Sequence, residues 1–194
     1  MTDLNSISLI LASASPRRKD LLEQIGLQPM IEPSHVEEVI TSTKPDLVVM
    51  ELSEQKAADI AAQHKGQSVI VIGADTVVAV DDQILGKPAD EADAVRMISL
   101  IQGRTHQVYT GVTLVDCESG TQRTFTEQTD VSVYPMTDLE IHAYAMTKEP
   151  LDKAGAYGIQ GIFAAYIKAV HGDYSNVVGL PVGRVYQELK RYSY

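Results

Sequence analysis

Ser13-Ala14-Ser15-Pro16-Arg17-Arg18 joins an apolar run over residues 7–12 to a helical pattern over residues 18–25, which Gly26 stops. The run reads as a buried strand through residue 13, and the pattern after it as a helix opening at Pro16. Ser15 suits the N-cap and Pro16 the first helical position, where a missing N–H costs nothing. Two arginines therefore stand in the first turn of a helix, beside free backbone N–H groups and the positive end of the helix dipole. Cations are unfavourable there unless an anion neutralises them, and a phosphate chain is the natural anion.

The alternation continues outward from this corner. Residues 29–32 read as a short strand, residues 33–44 as a polar loop beside an active site, and residues 45–64 as a long helix ended by Gly66. Residues 68–80 form the most β-like segment, and a tight turn at Asp81-Asp82-Gln83 follows it. Residues 90–101 read as a helix, and residues 105–115 and 122–133 as a hairpin turning through Gly120. Further helices are expected over residues 137–146 and 182–192, the start of one over 152–157, and a strand over 163–170. Strands that alternate with helices but include a hairpin predict an α/β fold with a mixed central sheet and flanking helices. The 194 residues, 44% of them apolar, suffice for one domain over residues 1–194.

Charge and cysteine content exclude several classes. A formal net charge of −10 argues against a protein that coats nucleic acid, and makes any local basic patch a site for a small anion. Cys117 is the only cysteine, so an intrachain disulfide is impossible and a cysteine zinc site implausible. The five histidines lack metal-ligand spacing and read as surface or structural groups. The run over residues 7–12 is too short for a secretory leader, and Asp3 precedes it with no Lys or Arg. No stretch approaches a membrane span. Tyr192 and Tyr194 read as exposed terminal tyrosines.

Asp75 interrupts an apolar strand, so it is expected at an edge or kink where Gly73 relieves the backbone. There it can bind a divalent metal or take a proton from an attacking water; a turn cap or a lysine pair is the structural alternative. Lys87, after Gly86, can hold a phosphate as a point charge or simply be solvated. It does not end a P-loop, because Pro88 follows it. Lys56, between Glu54 and Asp59, reads as part of a surface face. The adjacent Glu37 and Glu38 read as solvated, or as oxygen donors that join Asp75 around Mg²⁺. The segment Asp152-Lys153-Ala154-Gly155-Ala156-Tyr157-Gly158-Ile159-Gln160-Gly161 reads as a shaped loop, in which the Gln160 amide offers a donor and an acceptor to a base edge.

Together these stretches resemble the Maf family of nucleoside triphosphate pyrophosphatases. The anchors are Leu11-Ala12-Ser13-Ala14-Ser15-Pro16-Arg17-Arg18, Glu38, Lys56-Ala57, Gly73-Ala74-Asp75-Thr76-Val77-Val78, Leu85-Gly86-Lys87-Pro88, Thr110-Gly111-Val112 and the 152–161 segment. The sequence departs from the pattern at Pro33-Ser34-His35-Val36-Glu37. The resemblance implies two lobes around a cleft, like the inosine triphosphate pyrophosphatases, and cleavage between the α and β phosphates of a nucleotide. It also implies a divalent metal cation (Mg, Mn or Co), a cytoplasmic homodimer, and neither nucleic acid nor membrane as partner. By position, Asp75 matches the proton acceptor, and Arg17, Thr76 and Gln160 match residues tied to substrate choice. Ser13, Arg17, Arg18, Lys56 and Lys87 match the phosphate cleft, and Glu38, with Asp75, the metal site. Thr76 and Gln160 follow the branch acting on dTTP and UTP. The branch acting on 7-methyl-GTP carries Gln after the aspartate and Glu in the late loop. A non-catalytic nucleotide-binding regulator of septum formation is the alternative of another class; a kinase-like phosphotransferase lacks its signatures here.

Overall fold

The computed structural model describes residues 7–192, so Asp3 and Tyr194 lie outside the described residues. The opening apolar run becomes strand β1 (Leu9–Leu11), buried at every position. It pairs in parallel with β2 (Met30–Ile31) on one side and β3 (Ile70–Val80) on the other. The crossovers that make these pairings parallel carry helices α1 (Pro16–Gln24) and α2 (Pro45–Ala61). Beyond β3 the sheet is antiparallel: β4 (Gln83–Leu85) folds back on β3, and β5 (Thr105–Asp116), β6 (Gln122–Val133) and β7 (Ile167–His171) follow. The described strands form one mixed sheet in the order β2-β1-β3-β5-β6-β7, with β4 beside the far end of β3.

The helices divide unequally between the two faces of the sheet. Alternate side chains of β1 and β3, among them Ile10 and Val71, pack with Ala12, just past β1, and with Ala57, Ile60 and Ala61 of α2. The opposite set, including Leu9, Leu11, Ile72 and Val78, joins the larger core. There they meet α1, α3 (Glu91–Ile101), α4 (Asp138–Ala145), α5 (Tyr174–Val178) and α6 (Val182–Leu189). Local chemistry starts these helices as expected. Asp90 accepts from the Asp93 N–H at 2.8 Å, and Thr137 and Glu140 form a reciprocal capping box.

Three segments depart from the sequence reading. Residues 162–166 wind into a 3₁₀ turn, and the strand expected from residue 163 begins only at Ile167. The turn buries Phe163 completely among Tyr144, Tyr157 and Tyr166, with ring centroids 4.9–5.6 Å apart. Aromatic burial there outweighs strand propensity. Residues 149–156 form two 3₁₀ turns rather than a helix start, because Gly155 and Ala156 take positive φ of 70° and 59°. Helix α5 is too short to leave a periodic trace. Tyr192 is half-buried against the core rather than exposed.

His106 has no exposed surface; its Nε2 lies 2.8 Å from the Tyr157 hydroxyl, and its Nδ1 has no hydrogen-bond partner among the described residues. Burial pushes its pKa down to about 4, against a smaller opposing pull from Asp130. The unfolded chain takes up this proton near pH 6.5, whereas the folded chain refuses it until about pH 4. Stability from this group is therefore full above pH 6.5 and declines as pH falls toward 4, by on the order of 3 kcal/mol. Thermal melts between pH 7 and pH 4 should show a steeper decline for the native chain than for His106→Gln. Parallel curves would remove His106 as the cause.

Candidate active site

Strand β3 is flanked on one side by β1 as far as Ile72 and by β4 only from Val78. Between them residues 73–77 face no strand, while β5 pairs with them on the other side. Asp75 and Thr76, the two half-buried positions of an otherwise buried strand, lie at this gap. A cleft of about 1090 Å³ opens there. Of the edge or kink expected at Asp75, the structure shows the edge: β3 runs unbroken, and Asp75 is reachable because its neighbouring strand ends.

Gly73 has a different task from the one the sequence suggested. A Cβ there would stand 2.3 Å from the Ser53 carbonyl oxygen and 2.7 Å from the Ala57 nitrogen. A Cβ on Gly111, paired with Asp75, would stand 2.1 Å from the Val49 carbonyl oxygen. The backbone of α2 thus lies directly on the bare sheet, and Ser53 reinforces the contact with a 2.9 Å hydrogen bond to Thr113.

This close approach brings Lys56 to Asp75 rather than to the surface. Its Nζ lies 2.5 Å from Asp75 Oδ1 and 2.9 Å from Glu38 Oε1. The lysine and Asp75 side chains keep only 17% and 16% of their exposure, so the pair is far less screened than a surface ion pair. Glu38 arrives on the polar loop, which α2 pins at three points. Ser34 donates to Asp59 at 2.6 Å. The Gln55 amide accepts from Val39 N–H and donates to Val39 C=O, at 2.9 and 2.7 Å. Glu51 accepts from the Thr41 N–H and hydroxyl, at 2.9 and 2.6 Å. Glu51, Gln55 and Asp59 recur every fourth residue and so share one stripe of the helix. The sequence reading missed this role; the spacing beside a polar loop was the available signal.

Successive strand residues point to opposite faces, so Thr76 looks away from Lys56. On its face the Arg18 guanidinium donates to three oxygens: Gly179 C=O at 2.8 Å, Ser13 Oγ at 3.0 Å and Thr76 Oγ1 at 3.0 Å. Burial lowers the Arg18 pKa, with Asp75 opposing. Ser13 Oγ also accepts from the Ser15 N–H at 3.2 Å, while Ser15 makes no side-chain cap. Arg17 lies 3.2 Å from Asp152, which Lys153 also meets at 2.6 Å. The two cations of the first turn are therefore answered within the protein, one by a carboxylate and the other by neutral oxygens.

Lys87 and Gln160 stand exposed on the cleft wall, with no hydrogen bond or ion pair to any described residue. The nine residues matched through the family resemblance all line this one cleft, Arg17 and Asp75 among them, whereas Glu37, the other candidate oxygen donor, is exposed and does not line it. Five cationic side chains face four acidic ones there, in a chain of net charge −10, so the cleft is the locally basic patch that a polyanion needs. Asp75 also satisfies the structural alternative, since it pairs with a lysine.

Among the described residues, no group of three or more His, Cys, Asp and Glu side chains is placed to hold a metal ion. Glu38 and Asp75 supply hard oxygen donors that fit Mg²⁺ or Mn²⁺, provided that substrate oxygens and water complete the shell. Lys56 lies between them, so such a cation would have to displace it.

Arg18→Lys tests whether the guanidinium holds this end of the cleft together. One ammonium cannot span Ser13, Thr76 and Gly179 with the guanidinium geometry. The substitution should cost about 1–3 kcal/mol, read as a lower thermal midpoint. An unchanged melt would show that the three bonds contribute nothing net.

The family model for Maf-like protein matches residues 8–192. A "dTTP/UTP pyrophosphatase" of Agathobacter rectalis is 55% identical, covering 94% of this chain and 96% of that protein. Proteins of the same name from Lachnoclostridium phytofermentans and Carboxydothermus hydrogenoformans are 48% and 47% identical. They cover 95% and 97% of this chain, and 94% and 100% of their own lengths. A Staphylococcus aureus Ham1 protein overlaps 65% of this chain and 71% of its own, at 15% identity and a TM-score of 0.47, too distant to bear on function. The chain belongs to the Maf family.

Proposed function

We propose that this chain, as one domain with two lobes around the cleft, hydrolyses dTTP and UTP to the nucleoside monophosphate and pyrophosphate. The observation that carries this reading is the gap beside β3, where the Lys56–Asp75–Glu38 cluster and the Arg17–Arg18 corner open into one cleft. The activity named for the close relatives supports the same reaction.

In this mechanism Arg17, Arg18, Lys56 and Lys87 hold the triphosphate, with Ser13 fixing the Arg18 guanidinium. Asp75 Oδ2, which has no protein donor among the described residues, takes a proton from a water in line with the α-phosphorus. The new bond joins the water oxygen to that phosphorus; the bond to the bridging oxygen breaks, and pyrophosphate leaves with its electron pair. Glu38 and Asp75 would hold a divalent cation (Mg, Mn or Co), which offsets charge on the phosphates. Gln160 meets the base, and Thr76, tied to Arg18 and Thr110, shapes the wall beside it. A pyrimidine edge satisfies the Gln160 amide, whereas a glutamate there would demand a donor-rich edge such as that of 7-methyl-GTP. The family resemblance supports a cytoplasmic homodimer as the working form.

Asp75→Asn should lower kcat for dTTP by about 10²-fold or more while the thermal midpoint stays within a few degrees. Full pyrophosphate release by this variant would rule out the proposed base. Saturable binding of dTTP by the native chain without product, across Mg²⁺, Mn²⁺ and Co²⁺, would favour the non-catalytic regulator instead. Gln160→Glu should shift preference away from dTTP and UTP in a nucleotide panel. An unaltered substrate profile would take Gln160 out of base reading.

A further inference from the structure

Glu149 lies outside the sequence motifs that line the cleft, yet the turn that presents Gln160 is built around it. Its Oε1 accepts from the Tyr144 hydroxyl at 2.9 Å, and its Oε2 from the Ile162 N–H at 2.9 Å. The same tyrosine hydroxyl accepts from the Gly158 N–H at 3.2 Å. One carboxylate, with a buried phenol as its extension, thus anchors the backbone on both sides of Gly158-Ile159-Gln160-Gly161. The glycines show how tightly the turn is wrapped. A Cβ on Gly161 would stand 2.3 Å from Glu149 Oε1 and 2.4 Å from Oε2; one on Gly158 would stand 3.2 Å from Oε1. The Glu149 main chain continues the link toward the phosphate corner, since its carbonyl accepts from Lys153 Nζ at 2.7 Å. Lys153 in turn meets Asp152, the partner of Arg17.

We propose that Glu149 is a positioning residue for nucleotide choice: it holds the Gly158–Gly161 turn so that Gln160 faces the base. The proposal rests on the base-reading role of Gln160. Its signature is a change in recognition of the nucleoside, with phosphate binding untouched, because Glu149 reaches the backbone of this turn and none of the groups around Asp75.

The test compares Glu149→Ala, Glu149→Gln and Gln160→Ala with the native chain. Steady-state kinetics with dTTP and a purine triphosphate are read beside inhibition by tripolyphosphate, which has no base. Glu149→Ala should raise KM for dTTP about tenfold with kcat within about twofold, narrow the pyrimidine-to-purine ratio, and leave the tripolyphosphate Ki unchanged. Glu149→Gln, which keeps one acceptor oxygen, should fall between the native chain and the alanine variant. Amide hydrogen exchange should quicken at residues 158–162 in Glu149→Ala. A third variant isolates the contact. Gly161→Ala should impair dTTP recognition in the native background and add little in the Glu149→Ala background, because the clashing carboxylate is gone.

An equal rise in KM and tripolyphosphate Ki, additive effects of Gly161→Ala and Glu149→Ala, or unchanged exchange at residues 158–162 would overturn the proposal. If Gln160→Ala changes the substrate profile and Glu149→Ala does not, the positioning role alone has failed. If neither changes it, base reading by Gln160 has failed, and this proposal with it.

Discussion

The site depends on a helix backbone laid directly on a bare patch of sheet. Without Cβ atoms at Gly73 and Gly111, α2 rests against β3 and β5 through its Val49 and Ser53 carbonyls and its Ala57 nitrogen. Any larger residue at either position would lift the helix. Lys56 would then lose Asp75, and the Glu51–Gln55–Asp59 stripe would lose its hold on the loop that carries Glu38. One steric condition thus places the acid, the lysine and the second carboxylate together. Packing in this fold positions charge as well as burying apolar surface.

The second condition is topological. Asp75 and Thr76 point to opposite faces of β3, so they could not serve one ligand from the middle of a continuous sheet. The gap between the end of β1 and the start of β4 removes the barrier. The chain leaving β1 turns into α1 at that gap, and it carries Ser13, Arg17 and Arg18 to the Thr76 side. α2 and the polar loop supply the Asp75 side. Both sets therefore line one cleft.

In this form the cleft has its charges mutually engaged. Lys56 is shared by two carboxylates, Arg17 and Lys153 share Asp152, and Arg18 spends its donors on three oxygens. Lys87 and Gln160 stand apart from this network among the described residues. A polyanion that binds here must outcompete internal ion pairs, which favours ligands carrying several charges over a single phosphate.

Most of the element order could be read from the residues, because hydrophobic period, Pro16, Gly26 and the β5–β6 turn are local signals that tertiary packing did not override. The residues that meet at the cleft were legible for a related reason: a carboxylate inside an apolar strand and arginines in a first helical turn are locally costly, and a ligand or partner must answer them. Local pattern could not say which partner. Lys56 looked like a surface residue because the helix face it occupies is defined only by contact with Gly73 and Gly111. The work of Glu149 was invisible because it acts on backbone groups of a turn far along the chain. The 3₁₀ turn at residues 162–166 followed from burial of Phe163 among three tyrosines, a contact between segments that no single window contains. Sequence alone determined what chemistry the cleft holds, because residue type sets charge and local geometry. Only the tertiary structure decided how it is arranged, because distance between segments is set by close approach of backbone and by where one strand ends.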